Sequence, residues 1–157
     1  MHYRDDGPFG QYYEEFEIGQ KMVTRGRTVT EADIVQFAGL TGDYNPMHTD
    51  AEYMKSSQFG QRVAHGMLTL SYAVGQAYQL GFMERTVMAF RGLEMKFSLP
   101  VYIGDTLRTE LTIKDMKPMA RLGSGVIDLD VKIINQAGKV VQSGTWTIMI
   151  AMKPGST

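Results

Sequence analysis

Residues 67–80, MLTLSYAVGQAYQL, decide the fold. Met67, Leu68, Leu70, Tyr72, Val74, Ala77, Tyr78 and Leu80 fall around the whole helical circumference, and the stretch has no charged residue. A helix that is apolar on every side has no face to give to water, so this one is expected to be enclosed by other structure. Gly66, just before it, reads as the helix start.

The enclosing material is read from the flanking patterns. Leu107, Thr109, Leu111 and Ile113 alternate with Arg108, Glu110, Thr112 and Lys114, while Ile127, Leu129, Val131 and Ile133 alternate with Asp128, Asp130 and Lys132. Such alternation is the mark of half-buried strands. NQAGK at 135–139 supplies a hairpin turn into a last strand around Trp146, Ile148 and Ile150. AFRGLEMKFSLP at 89–100 adds another strand, stopped by Pro100, and KMVTRGRTVT at 21–30 reads as one strand interrupted by Gly26. One strand before the helix and four after it predict an α+β protein, with a five-stranded antiparallel sheet wrapped around a buried central helix.

The remaining segments are ancillary. Thr30 is placed to cap a helix whose first turn holds Glu31 and Asp33, whose apolar positions are Ile34, Phe37 and Ala38, and which ends near Gly39 to Gly42. Residues 1–19 are read as an arm that packs through Phe9, Tyr12, Tyr13 and Phe16. At 157 residues the expectation is a single domain, 1–157.

Composition narrows the function. Sixteen basic against seventeen acidic residues leave a net charge of −1, and no basic run is long enough to track a line of phosphates, which argues against nucleic acid. No apolar stretch approaches the ~18 residues of a membrane span. The N-terminal MHYRDDGPFGQYYEEFEIGQ is acidic where a secretion signal is basic, and there is no cysteine. A cytoplasmic protein is expected.

The chemistry is concentrated in GDYNPMHTD, residues 42–50. Of three histidines, His2 reads as surface, leaving His48 and His65. Asp43 and His48 lie five apart, and Pro46 fixes its own φ while pushing Asn45 toward extended geometry, so the loop is stiff. An imidazole and a carboxylate on one water can deprotonate it and deliver a proton nearby. The same residues also serve as plain turn formers. A zinc set of Asp43, His48, Asp50 and His65 lacks any usual metal spacing, so no metal is expected, and Asp50 reads as a helix cap. AHGML at 64–68 is the second element. A helix starting at Gly66 presents free backbone N–H groups and a positive dipole end, the outline of an oxyanion site, although Gly66 can equally relieve crowding while His65 caps or packs.

LTGDYNPMHTD (40–50) followed by FGQRVAHGML (59–68) resembles the MaoC-like dehydratases, the family of (R)-specific enoyl-CoA hydratases with a hotdog fold. RTVTEADIVQFAGLTGD and FSLPVYIGDTL extend the resemblance to about Tyr12–Ile150. It implies an Asp43/His48 dyad that activates the water added across a trans-2-enoyl thioester, with Asn45 orienting the dyad. The thioester carbonyl would be held by the Gly66 N–H, and the reverse reaction would dehydrate a (3R)-hydroxyacyl thioester. Which of Asp43 and His48 moves which proton is left open. Ser71 is a candidate for the hydroxyl that some relatives place on the central helix.

The substrate would be an acyl-CoA or acyl-carrier thioester, with no cofactor besides the CoA it carries. Arg62, Arg91 and Lys96 are candidates for its phosphates, and Tyr53, Met54, Phe59 and Met67 for the walls of an acyl tunnel. Unpaired sheet edges and the hotdog resemblance predict a homodimer or higher oligomer. The alternatives are a hotdog thioesterase and a non-catalytic acyl-CoA-binding module, since fold alone does not fix the reaction.

Overall fold

The structure is a computed structural model and describes residues 10–155. His2 and Phe9 lie outside them. Two short strands, β1 (Lys21–Val23) and β2 (Arg27–Thr28), precede helix α1 (Glu31–Thr41). A helical turn α2 (Pro46–Thr49), a short helix α3 (Ala51–Lys55) and the long helix α4 (Gly66–Gln79) follow. Four long strands complete the chain: β3 (Val87–Phe97), β4 (Thr106–Met119), β5 (Ser124–Ile134) and β6 (Val140–Ala151). The sheet is antiparallel in the order β1-β4-β5-β6-β3, with β2 also paired to β4.

The sheet therefore has six strands rather than five. Val23 pairs with Glu110 and Arg27 with Leu107, so four steps on the incoming chain answer to three on β4. One extra residue breaks the ladder, which splits the expected single strand at Gly26 into two pieces. Gly26 is suited to the break because a Cβ there would meet Thr106 Cγ2 at 2.9 Å.

Leu107, Leu111, Ile127, Leu129, Val131, Ile133, Trp146, Ile148 and Ile150 are fully buried on one face of β4–β6. Leu70, Ala73 and Ala77 of α4 belong to the same core, and the two alanines, one helical turn apart, let the helix approach the sheet closely. The alternation read from the sequence is the physical cause: one face of each strand is apolar, and only a helix laid across it removes that face from water. The hairpin at 135–139 also forms as expected. Asn135 exchanges backbone bonds with Lys139 and Gly138, its side chain accepts from Ala137 N and Lys139 N, and Gly138 takes φ +74°.

α4 is less enclosed than its composition predicts. Met67, Ser71, Val74 and Tyr78 form an exposed stripe along it. The cause is the size of the covering layer: the sheet packs on one side of α4 and the segments around α1 on another, and neither reaches this stripe. Tyr13 and Phe16 of the arm are buried as expected, and Tyr12 is half-buried. Among the described residues no helix is long and apolar enough to cross a membrane.

Candidate active site

α1 is closed at its start by a capping box: Thr30 Oγ1 accepts from Asp33 N and the Asp33 carboxylate accepts from Thr30 N. At its end Gly42 adopts φ +77°, the left-handed turn that glycine makes at low cost. Directly after that turn Asp43 Oδ1 accepts from Asn45 N at 3.2 Å. Asn45 Oδ1 in turn accepts from Met47 N at 3.1 Å and caps α2, with Pro46 as its first residue. The loop is thus a turn and also a mount. Asn45 touches Asp43 through its backbone and aims His48 through the turn it caps.

His48 is buried, and its Nδ1 lies 2.7 Å from the Val63 carbonyl oxygen. A carbonyl only accepts, so Nδ1 carries the proton of the neutral ring and Nε2 carries the lone pair. Nε2 faces Asp43 Oδ2 at 3.9 Å. That distance is too long for a direct hydrogen bond, but a single water that donates to both acceptors spans it. Burial pushes the His48 imidazole below its ordinary value and the neighbouring His65 adds to this, while the Val63 carbonyl and Asp43 pull the other way. The balance favours the neutral ring, with the Nε2 lone pair turned toward Asp43.

A cavity of about 440 Å³ opens beside His48 and reaches Gly66, Thr69, Phe97 and Gln142. Gly66 begins α4, whose first-turn N–H groups have no acceptor within the helix. A Cβ on Gly66 would lie 2.8 Å from the Phe97 ring, so any larger residue there has to push that ring aside. Gln142 Nε2 donates to the Gly66 carbonyl at 2.8 Å and ties the helix start to β6.

Of the other sequence candidates, Phe59 lines this cavity. Met54 is buried in α3 and Tyr53 is exposed; neither lines it. Met67 lies on the exposed stripe of α4. Ser71 donates to the Met67 carbonyl and borders a separate depression beside Arg27 and Asp33. Arg62 is held by both carboxylate oxygens of Glu31, and Arg91 contacts Met119 Sδ. Lys96 borders a depression on the outer face of the sheet with Lys114 and Lys132, away from the cavity. Side chains that face one another only after folding were beyond reach of sequence neighbourhood. Gln142 carried the one available signal, a polar residue just before the apolar positions of the last strand.

Asp43, His48 and His65 bring one donor each within 4.8 Å of one another. Asp50, the fourth member of the zinc set, instead caps α3 through Tyr53 N. The His48 and His65 rings are stacked at 3.8 Å with 26° between their planes. Imidazoles bind metals through lone pairs in the ring plane, so stacked rings are poorly arranged to close on one ion.

A long antiparallel sheet packed on one central helix, with the helix start and His48 lining one cavity and Asp43 reaching it only through His48, defines a protein of the hotdog class. Residues 14–133 match the family described as MaoC like domain, and the chain belongs to that dehydratase family. It is 32% identical over 140 residues to the (R)-specific enoyl-CoA hydratase of Rhodospirillum rubrum, covering 88% of this chain and 91% of that one. It is 44% identical over 108 residues to protein MaoC of Klebsiella aerogenes, covering 68% of this chain but only 32% of that longer protein. The fold superimposes on the unliganded R-hydratase PhaJ1 of Pseudomonas aeruginosa with a TM-score of 0.77 at 32% identity, covering 90% and 86% of the two chains.

Proposed function

We propose that the protein catalyses (R)-specific hydration of a trans-2-enoyl thioester, or the reverse dehydration, through Asp43, His48 and the Gly66 N–H. The observation that carries this reading is the 3.9 Å gap between Asp43 Oδ2 and a His48 Nε2 whose lone pair is left free by the Val63 bond. A water in that gap gives its proton to Nε2 as its oxygen bonds to C3 of the substrate. The C2–C3 π electrons move onto the thioester oxygen, where the Gly66 N–H and the α4 dipole meet developing charge. The enolate collapses as C2 takes a proton back from the imidazolium, so one water is added and no redox equivalent is used. Asp43 orients the water and stabilises the imidazolium, and Val63 O accepts from Nδ1–H throughout.

Relatives named (R)-specific enoyl-CoA hydratase support a CoA thioester as substrate. The chemistry needs no cofactor, and we take the cytoplasm as the compartment. The test is hydration of crotonyl-CoA, followed by loss of enoyl absorbance, with free thiol measured in parallel. Hydration that Asp43→Asn and His48→Ala both abolish supports the reading. Thiol release in place of hydration would make the protein a thioesterase, and tight acyl-CoA binding without turnover would make it a binding module.

We further propose that the active species is a homodimer. Among the described residues β3 is paired only with β6, and its inward residues Phe90, Leu93 and Phe97 are exposed, as is the bare stripe of α4. Gly75 lies in the middle of α4 with no atom within 4 Å of an added Cβ. Nothing inside the chain explains a residue that costs a helix ~1 kcal/mol relative to alanine, whereas close approach of a second copy does. Sedimentation should give a dimer for the wild type and a monomer for Val74→Glu; an active wild-type monomer would refute the assembly.

A further inference from the structure

His65 lies between the two halves of the site without belonging to either. It is the N-cap residue of α4, with φ −57° and ψ 132°, yet its side chain makes no capping hydrogen bond. Its Nε2 instead lies 3.0 Å from the backbone carbonyl of Asp43. Because that carbonyl can only accept, Nε2 carries the proton and Nδ1 the lone pair, and Nδ1 is buried without a partner among the described residues. The ring stacks on His48 at 3.8 Å, and Phe37 packs against it at 5.0 Å.

Stability alone does not call for a histidine here. The Asp43 loop is exposed, so water can satisfy its carbonyl, and an apolar side chain would fill the same space without burying an unpaired nitrogen. What the imidazole adds is geometric. One side chain grips the main chain that carries Asp43, supports the face of His48, and is covalently joined to Gly66.

We propose that His65 is a positioning residue that holds Asp43, His48 and the Gly66 N–H in one fixed arrangement, so that the water and the thioester oxygen meet at reacting distance. The inference rests on the hydration reading above. Misplacing reacting groups by ~1 Å costs on the order of 10²-fold in rate, which sets the scale of the expected effect.

The test compares His65→Gln with His65→Met in the full-length protein. The two side chains are close in length and volume, but only glutamine carries a donor for the Asp43 carbonyl. We expect both to fold with similar melting temperatures. His65→Met should lose roughly 10–100-fold in kcat with KM for crotonyl-CoA little changed, and His65→Gln should recover about tenfold of that loss. In both variants the acid limb of kcat should move upward in pH, because His65 helps to hold His48 low. Equal kcat in the two variants, or wild-type kcat in His65→Met, would overturn the inference. Asp43→Asn and His48→Ala, assayed alongside, separate the two levels: if they too retain wild-type rates, the hydration reading fails, and if they alone are inactive, only the role of His65 does.

Discussion

Two buried glutamines hold α4 to the sheet, one near each end, and they are used differently. Gln76, toward the C-terminal end, donates to the carbonyls of Arg25 and Leu107 at 2.9 and 2.8 Å and accepts from the Thr109 hydroxyl at 2.9 Å. Gln142 donates to Gly66 at the N-terminal end, but among the described residues its Oε1 is buried without a partner, as is the Thr69 hydroxyl along the same cavity. A saturated amide is what a structural anchor looks like. Unspent polar capacity next to a cavity is tolerated where a site is being served, because each such group costs on the order of 1–3 kcal/mol. Under the proposed hydration, the far end of α4 holds and the near end serves the site.

That division of labour can be broken by experiment. The largest effect on rate belongs to the near end: His48→Ala and Asp43→Asn should each lower kcat for crotonyl-CoA by ~10²–10⁴-fold, with the melting temperature almost unmoved in Asp43→Asn and lowered in His48→Ala, which strands the Val63 carbonyl, as read by absorbance and thermal melts. At the far end, Gln76→Leu should cost about 2–4 kcal/mol in denaturant unfolding, since it strands two carbonyls and a hydroxyl, while kcat of the folded fraction at 25 °C stays near wild type. A Gln76→Leu protein that is stable but slow would end the comparison. Gly66→Ala should fall between the two, losing about tenfold or more in kcat as the new methyl collides with Phe97, with partial recovery in Gly66→Ala/Phe97→Leu.

The smallest effect is on pH dependence. His48 is held below its ordinary value, so as pH falls the unfolded chain binds this proton before the native one does. Stability therefore rises with pH between the folded value and the ordinary ~6.5, and is lost as pH drops through that window. The acid limb of kcat/KM should also lie below ~6.5. His48→Gln should flatten this part of the stability profile in denaturant titrations at several pH values; an unchanged profile would show that another group titrates there.

Much of the fold was legible because it is written in periodicity. Alternation over 107–114 and 127–133 gave β4 and β5 with the correct inward faces, and the charge-free run after Gly66 gave α4. The exposed stripe on α4 was not legible, since apolar residues look alike whether they face a core or a partner. The split at Gly26 depends on register against β4, which lies some eighty residues away in the chain. At the site, the turn chemistry of Asn45, Pro46 and Asp50 could be read locally because capping acts over two or three residues. The Val63 carbonyl that fixes the His48 tautomer, and the hold of His65 on Asp43, span 15 and 22 residues of short helices and loop, and no local pattern records them.

The contact between Phe97 and the bare α-carbon of Gly66 also has an engineering consequence. A side chain at position 66 has to displace the Phe97 ring, so the cavity is not readily remodelled from the helix start. It can be remodelled from β3. Phe97 is a large ring at the end of an edge strand, and trimming it widens the cavity while leaving each polar contact of Asp43, His48 and Gly66 in place. If the proposed hydration holds, chain-length preference and rate should be separately adjustable, with residue 97 as the dial for the first.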